Sequence, residues 1–140
     1  MVDQITIEGY KSFQSQTIKL GGLNVLIGSN GAGKSNFLSL FELLGNIFEQ
    51  RLGAYVAKTG GVDKLLFQGR KVTEEITVNL VMTHNSYGVT LQEADGKLIV
   101  ANEKLGCLSK DSQGNSECSS IFLRLLFQCI GCGYVKIAVA

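Results

Sequence analysis

Glycines stand at positions 28, 31 and 33 of Gly28-Ser29-Asn30-Gly31-Ala32-Gly33-Lys34-Ser35, and a lysine and a serine close the stretch. Successive backbone N–H groups can turn inward around one anion only where bulky side chains do not block its approach, so these glycines prescribe a cradle. Lys34 adds a positive charge directed at the β- and γ-phosphates of a nucleotide, and the Ser35 hydroxyl is placed to ligate Mg²⁺. A glycine, four free positions and Gly-Lys-Ser together make a phosphate-binding loop.

Such a loop functions when a strand delivers the chain to it and a helix leaves from it. Leu23-Asn24-Val25-Leu26-Ile27 precedes it, an apolar run of buried-strand length, and residues from Asn36 to Gln50 follow with helical periodicity. Phosphates would then sit at the positive end of the helix dipole. Within the helix, Phe37, Phe41, Leu44 and Phe48 are spaced to form one apolar stripe, which Leu38, Leu40, Leu43 and Ile47 widen. Gly45 weakens the helix interior by roughly 1 kcal/mol relative to alanine, so a break or bend is expected near it.

Around this centre, alternating apolar and polar residues predict strands at 2–9 and 14–20, with Gly21-Gly22 as a tight connection to 23–27. A second helical piece through Ala54-Tyr55-Val56-Ala57-Lys58 would end at Gly60-Gly61. Glu75 to Met82, Tyr87 to Gln92 and Lys97 to Ala101 form an antiparallel meander, turned by Asn85-Ser86 and by Asp95-Gly96. After Leu105 the character changes. Ser109 to Ser120 reads as a polar linker, and Ile121 to Ala140 is strongly apolar. Arg124, Gln128, Lys136, Gly131 and Gly133 interrupt that tail, which favours a helix at 121–129 and a strand at 134–139 over a membrane span.

The 140 residues suffice for one domain with a modest core. A net charge of +1 and 18% charged residues give no basic field of the kind that announces nucleic acid. Nothing at Met1-Val2-Asp3-Gln4 resembles a signal peptide, so the expected compartment is the cytoplasm. The four cysteines, Cys107, Cys118, Cys129 and Cys132, are expected as free thiols there. Cys129 and Cys132 are spaced as one zinc knuckle but lack a second close pair. His84, the only histidine, is expected in a turn before Asn85-Ser86. A GTPase would need an Asn-Lys-X-Asp segment, which is absent, and Asp111-Ser112-Gln113-Gly114 matches its Asp-X-X-Gly only in letters.

Gly-Tyr-Lys-Ser-Phe at 9–13, Leu-Asn-Val-Leu-Ile-Gly-Ser-Asn-Gly-Ala-Gly-Lys-Ser-Asn-Phe-Leu at 23–38 and Gly-Gly-Val-Asp-Lys-Leu-Leu-Phe-Gln-Gly-Arg-Lys at 60–71 together resemble the N-terminal part of ABC-type AAA-family ATPases related to SMC and RecF proteins. Those proteins act in chromosome maintenance, DNA repair, recombination and phage defence. The resemblance covers roughly residues 2–105. It implies ATP and Mg²⁺ as ligands, with Asn30, Gly31, Ala32, Gly33, Lys34, Ser35 and Asn36 around the phosphates and Lys11 and Ser12 near the nucleotide. It also implies Mg²⁺ at Ser35 and at a glutamine after a strand, for which Gln92 is preferred over Gln68. An ordinary solvated turn is the alternative for Lys11.

The pattern departs from the family where hydrolysis is concerned. An ABC-type site needs an Asp and a Glu at the end of an apolar strand and a Ser-Gly-Gly signature from a second subunit. No acidic residue after the loop follows four consecutive apolar residues. The sequence therefore reads as a front lobe over 1–105, a fragment or truncated product of a larger ATPase, with 106–140 a linker and apolar tail of different origin. A second ATPase half or a homodimer partner is expected, DNA would be reached only through the full machine, and no membrane is involved. Two functions remain open: a lobe completed for hydrolysis by missing parts, or a module that binds nucleotide without turning it over. The expected fold is α/β, a mixed and partly antiparallel sheet around the phosphate-loop helix, with parallel strands on the helix's far side absent.

Overall fold

The computed structural model describes residues 2–83, 85–107 and 136–139. In chain order the elements are β1 (Val2–Tyr10), β2 (Phe13–Lys19), β3 (Leu23–Leu26), α1 (Lys34–Phe48), α2 (Leu52–Lys58), a single 3₁₀ turn (Val62–Lys64), β4 (Glu75–Met82), β5 (Asn85–Ala94), β6 (Lys97–Cys107) and β7 (Lys136–Val139). Five strands form one antiparallel sheet in the order β2-β1-β4-β5-β6. The sheet is built from alternation: Ile5 and Ile7 on β1 face the same side as Ile76, Val78 and Leu80 on β4 and Tyr87, Val89 and Leu91 on β5, and all are buried. Register pairs Ile5 with Leu80 and Ile7 with Val78 across β1 and β4.

Helices α1 and α2 cover this face, and Phe37, Leu40, Leu43, Leu44, Tyr55 and Val56 close the core with Leu65 and Leu66. The buried stripe of α1 is turned towards Leu40 and Leu43 relative to the expected one. Phe41 is only partly buried, and Phe48 at 38% exposure lies at the margin. At about 100° per residue, Phe41 and Phe48 fall on one edge of the stripe centred on Leu40 and Leu44. Gly45 produces no break, and α1 continues past it to Phe48.

The expected single mixed sheet is instead two sheets. β3 pairs in parallel with β7, in register from Leu23 opposite Lys136 to Leu26 opposite Val139, and among the described residues it joins no antiparallel pair. The chain leaves β2 through Gly21, whose N–H donates to Asn24 Oδ1 at 2.8 Å while Asn24 Nδ2 donates back to the Gly21 carbonyl. This local clasp replaces a ladder to β2. β7 thus supplies β3 with one parallel partner. β3 is also not the buried strand its composition predicts: Leu23, Val25 and neighbouring Ile27 are 66%, 53% and 80% exposed. Only the opposite face, through Leu26, packs against the core.

Of the meander strands, β4 has its expected limits, while β5 extends at both ends and takes in Asn85 and Ser86, which pair with Met82 and Val81 instead of forming the turn. β6 starts at Lys97 as expected but runs on to Cys107, two residues past the boundary expected at 105. The strand expected at 134–139 is β7. The linker at 109–120, the helix at 121–129, His84 and the residues Cys118, Cys129 and Cys132 lie outside the described residues. Among the described residues no helix is long and apolar enough to cross a membrane.

Candidate functional site: the phosphate loop and its flanking cleft

The loop between β3 and α1 takes its shape from glycine. Gly31 has φ +87° and Gly33 φ +92°, left-handed values that place Gly33 as the N-cap of α1 without any side-chain cap. The first turn of α1 contains no acidic residue, so its exposed N–H groups and the positive end of the helix dipole are left to an external anion. A bond from Ala32 N–H to the Ser29 carbonyl at 3.2 Å closes the turn, and Phe37 N–H to Gly33 O at 2.9 Å opens the helix. The hollow so formed, about 150 Å³, is lined by residues Ser29 to Asn36. All seven residues expected around the phosphates, Asn30 to Asn36, belong to that lining. Their position there follows from local sequence alone.

Lys34 folds back over the loop. Its Nζ donates to the carbonyl of Gly28 and, at 3.3 Å, to that of Ser29. The ammonium is thus held over the concavity by carbonyls of the same loop, and the geometry fits a phosphate that would exchange these weak acceptors for its own oxygens. Ser35 is exposed at the start of α1, one residue beyond Lys34.

Lys11 and Ser12 reach this loop across the core's edge. They form the two-residue turn between β1 and β2, where Tyr10 pairs with Phe13. The backbone around the turn is pinned to a second segment: Lys11 N–H donates to Leu65 O at 2.8 Å and Phe67 N–H to Gly9 O at 2.9 Å. Asn36 Nδ2 donates to Ser12 Oγ at 3.0 Å, which ties the turn to α1. A Cβ on Gly33 would lie 3.1 Å from Ser12 Oγ, so the loop and the turn fit closely only with glycine there. Lys11, Ser12 and Asn36 then line a cleft of about 680 Å³ that continues to Thr59, Asp63 and Gln68. This volume lies within the ~300–1,000 Å³ common for small-molecule sites.

Lys11 is not a freely solvated turn residue. Its Nζ donates to Ser39 Oγ at 2.7 Å and lies 5.4 Å from the centroid of the Tyr10 ring. Burial pulls its pKa below the usual lysine range, and Glu42 partly offsets this. Burial likewise pushes the Tyr10 and Tyr55 phenols up. Sequence reasoning missed Tyr10, Ser39 and Tyr55. The available signal was Ser39 itself, a hydroxyl one helical turn after Ser35 on a helix otherwise rich in apolar residues.

The two candidate glutamines separate. Gln92 stands opposite Glu75 in the β4–β5 ladder, its Nε2 donating to Glu75 Oε2 at 3.4 Å, and it lines a hollow with Lys71, Glu74 and Glu93 that shares no residue with the phosphate loop's. Gln68, in a left-handed conformation at φ +57°, lines the cleft beside Lys11. Register decides this outcome, because it commits the Gln92 amide to β4. Among the described residues, no three His, Cys, Asp or Glu side chains gather where they could hold a metal ion.

The family model for the AAA ATPase domain matches residues 1–125. The chain belongs to the AAA ATPase domain family. No curated protein matches it. In this ATPase domain the phosphate loop and α1 are the parts whose local geometry suits the nucleotide-binding role that family membership brings. The match also extends past Leu105, into the region expected to be foreign to the family.

Proposed function

We propose that this AAA ATPase domain binds ATP with Mg²⁺, as the front lobe of an SMC/RecF-like ATPase serving DNA repair, recombination or phage defence. The supporting observation is Lys34 Nζ held over a loop whose left-handed Gly33 opens α1 towards the same concavity. Backbone N–H groups of residues 30–35 would hold the phosphates, Lys34 would balance their charge, and the nucleoside would extend over Ser12 and Asn36 into the flanking cleft. Ser35 would ligate Mg²⁺, which when bound neutralises phosphate charge.

Binding without efficient turnover is the activity proposed for these residues alone. In-line attack by water needs a positioned base, and the residues lining the phosphate hollow, Ser29 to Asn36, include no acid. That base, and the closing contact from a second ATPase half or a second copy, would come from elsewhere. Of the two glutamines, Gln68 has the better access to a bound nucleotide.

Calorimetric titration of the chain with Mg-ATP, beside Lys34→Ala and followed by phosphate release on the same samples, tests this. Saturable binding lost in Lys34→Ala, without phosphate release, is the expected result. Absence of Lys34-dependent binding would overturn the nucleotide assignment. Phosphate release abolished by Lys34→Ala would overturn the claim that a base is missing.

A further inference from the structure

Ser39 collects three side chains and a backbone group at one point beneath the phosphate-loop helix. Its Oγ lies 2.9 Å from the Asn36 carbonyl, one turn back along α1, and donates its only proton there. Its lone pairs are then left to accept from Lys11 Nζ at 2.7 Å and from Tyr10 Oη at 2.9 Å. Tyr55 Oη donates to the Ser39 carbonyl at 3.1 Å and holds the same turn from the α2 side. The hydroxyl's hydrogen-bonding capacity is fully used, and Lys11 cannot swing away without leaving an acceptor behind.

The lysine is constrained at its other end too. Its backbone is left-handed at φ +46°, a region that disfavours residues with a Cβ, and its N–H is bonded to Leu65 O. A lysine serving only as a solvated turn residue gains nothing from either restraint, since an exposed ammonium is best left in water. Here the half-buried side chain lays its cation against the Tyr10 ring, at the wall of the cleft that adjoins the phosphate loop. One of its three N–H donors is taken by Ser39, so two are left for a ligand.

We propose that Ser39 is a positioning residue for nucleotide binding: it anchors Lys11 so that the ammonium presents its remaining donors to oxygen atoms of a nucleotide in the cleft beside the phosphate loop. This inference rests on the nucleotide-binding function proposed above. Ser39 touches no ligand and acts through Lys11, with Tyr10 as the second member of the anchor.

The test is a double-mutant cycle in Mg-ATP affinity, measured by calorimetry on the full chain with Lys34→Ala as the control for specific binding. Ser39→Ala should weaken binding about tenfold, the loss associated with one hydrogen bond to a charged group. Ser39→Thr, which keeps the hydroxyl, should restore most of the affinity. In a Lys11→Met background, Ser39→Ala should bring no further loss, because the group it positions is gone. Equal losses from Ser39→Ala with and without Lys11 would show a merely structural role and overturn the proposal. If Ser39→Ala does not fold, unchanged affinity in Lys11→Met would overturn it alone, and a roughly tenfold loss there that Ser39→Thr does not share would support it. Lack of any Lys34-dependent binding in the unmodified chain would instead remove the nucleotide assignment, and this proposal with it.

Discussion

The side-chain amide of Asn36 donates to Ser12 Oγ at 3.0 Å, joining the first turn of α1 to the hairpin between β1 and β2. Through this bond the phosphate loop is referenced to the five-stranded sheet as well as to β3. Removing it with Asn36→Ala should lower stability by only about 0.5–1 kcal/mol, because the pair is solvent-accessible. Mg-ATP affinity should fall by more than that stability change accounts for, since loop and turn would no longer be held in register. Urea denaturation and calorimetry on the same variant check both halves.

Gly33→Ala places a Cβ 3.1 Å from Ser12 Oγ at a residue with φ +92°. The left-handed backbone alone costs about 1–2 kcal/mol for a residue with a Cβ. The expected outcome is a stability loss of that order together with weakened Mg-ATP binding, read from a urea midpoint and a titration. An unchanged midpoint would contradict the left-handed cap.

Two other glycines should behave oppositely. Gly45 lies inside α1, and an added Cβ there meets nothing within 4 Å, so Gly45→Ala should stabilise the domain by about 0.5–1 kcal/mol and leave nucleotide affinity unchanged. Gly9, at φ +71°, has the carbonyl oxygen of Glu75 where a Cβ would go. Gly9→Ala must displace β4 or the end of β1, and a loss of more than about 2 kcal/mol is expected. Thermal or urea unfolding of the pair tests the contrast.

Leu40 and Leu44 are fully buried between α1 and the sheet, whereas Phe48 is 38% exposed. Leu44→Ala should therefore lower stability by about 2–5 kcal/mol. Phe48→Ala should lower it less, contrary to what a stripe through Phe37, Phe41, Leu44 and Phe48 predicts. Equal losses in urea unfolding would restore that stripe.

Tyr87 Oη donates to Glu103 Oε1 at 2.8 Å, and burial, then this carboxylate's hydrogen bond and charge, push the phenol's pKa above its ordinary value of 10.0. The folded state holds this proton more tightly than the unfolded chain does. Its contribution is thus complete below about pH 10 and is lost as the pH rises towards the folded-state pKa. Stability should decline above about pH 10, and the decline should be shallower in Tyr87→Phe. Tyr10, whose phenol is raised by burial in the same direction, keeps part of the decline in that variant. Urea midpoints between about pH 8 and about pH 11 give the two slopes.

The phosphate loop was legible in eight residues because its chemistry is local: glycine conformations, one cation and one hydroxyl act within a few bonds of each other. The strands of the antiparallel sheet were legible for a similar reason, since alternation along one strand already records which side faces the core. Neither signal extends to partners far along the chain. Lys11 meets Ser39 across 28 positions, β3 pairs with β7 instead of joining the larger sheet, and Gln92 is held by Glu75 while Gln68 enters the cleft. The helix was evident from its periodicity, but the buried stripe depended on where the sheet lay, and that chose Leu40 and Leu43 over Phe48. Local stereochemistry and residue type determined the anion cradle, and long-range packing alone decided which side chains surround it.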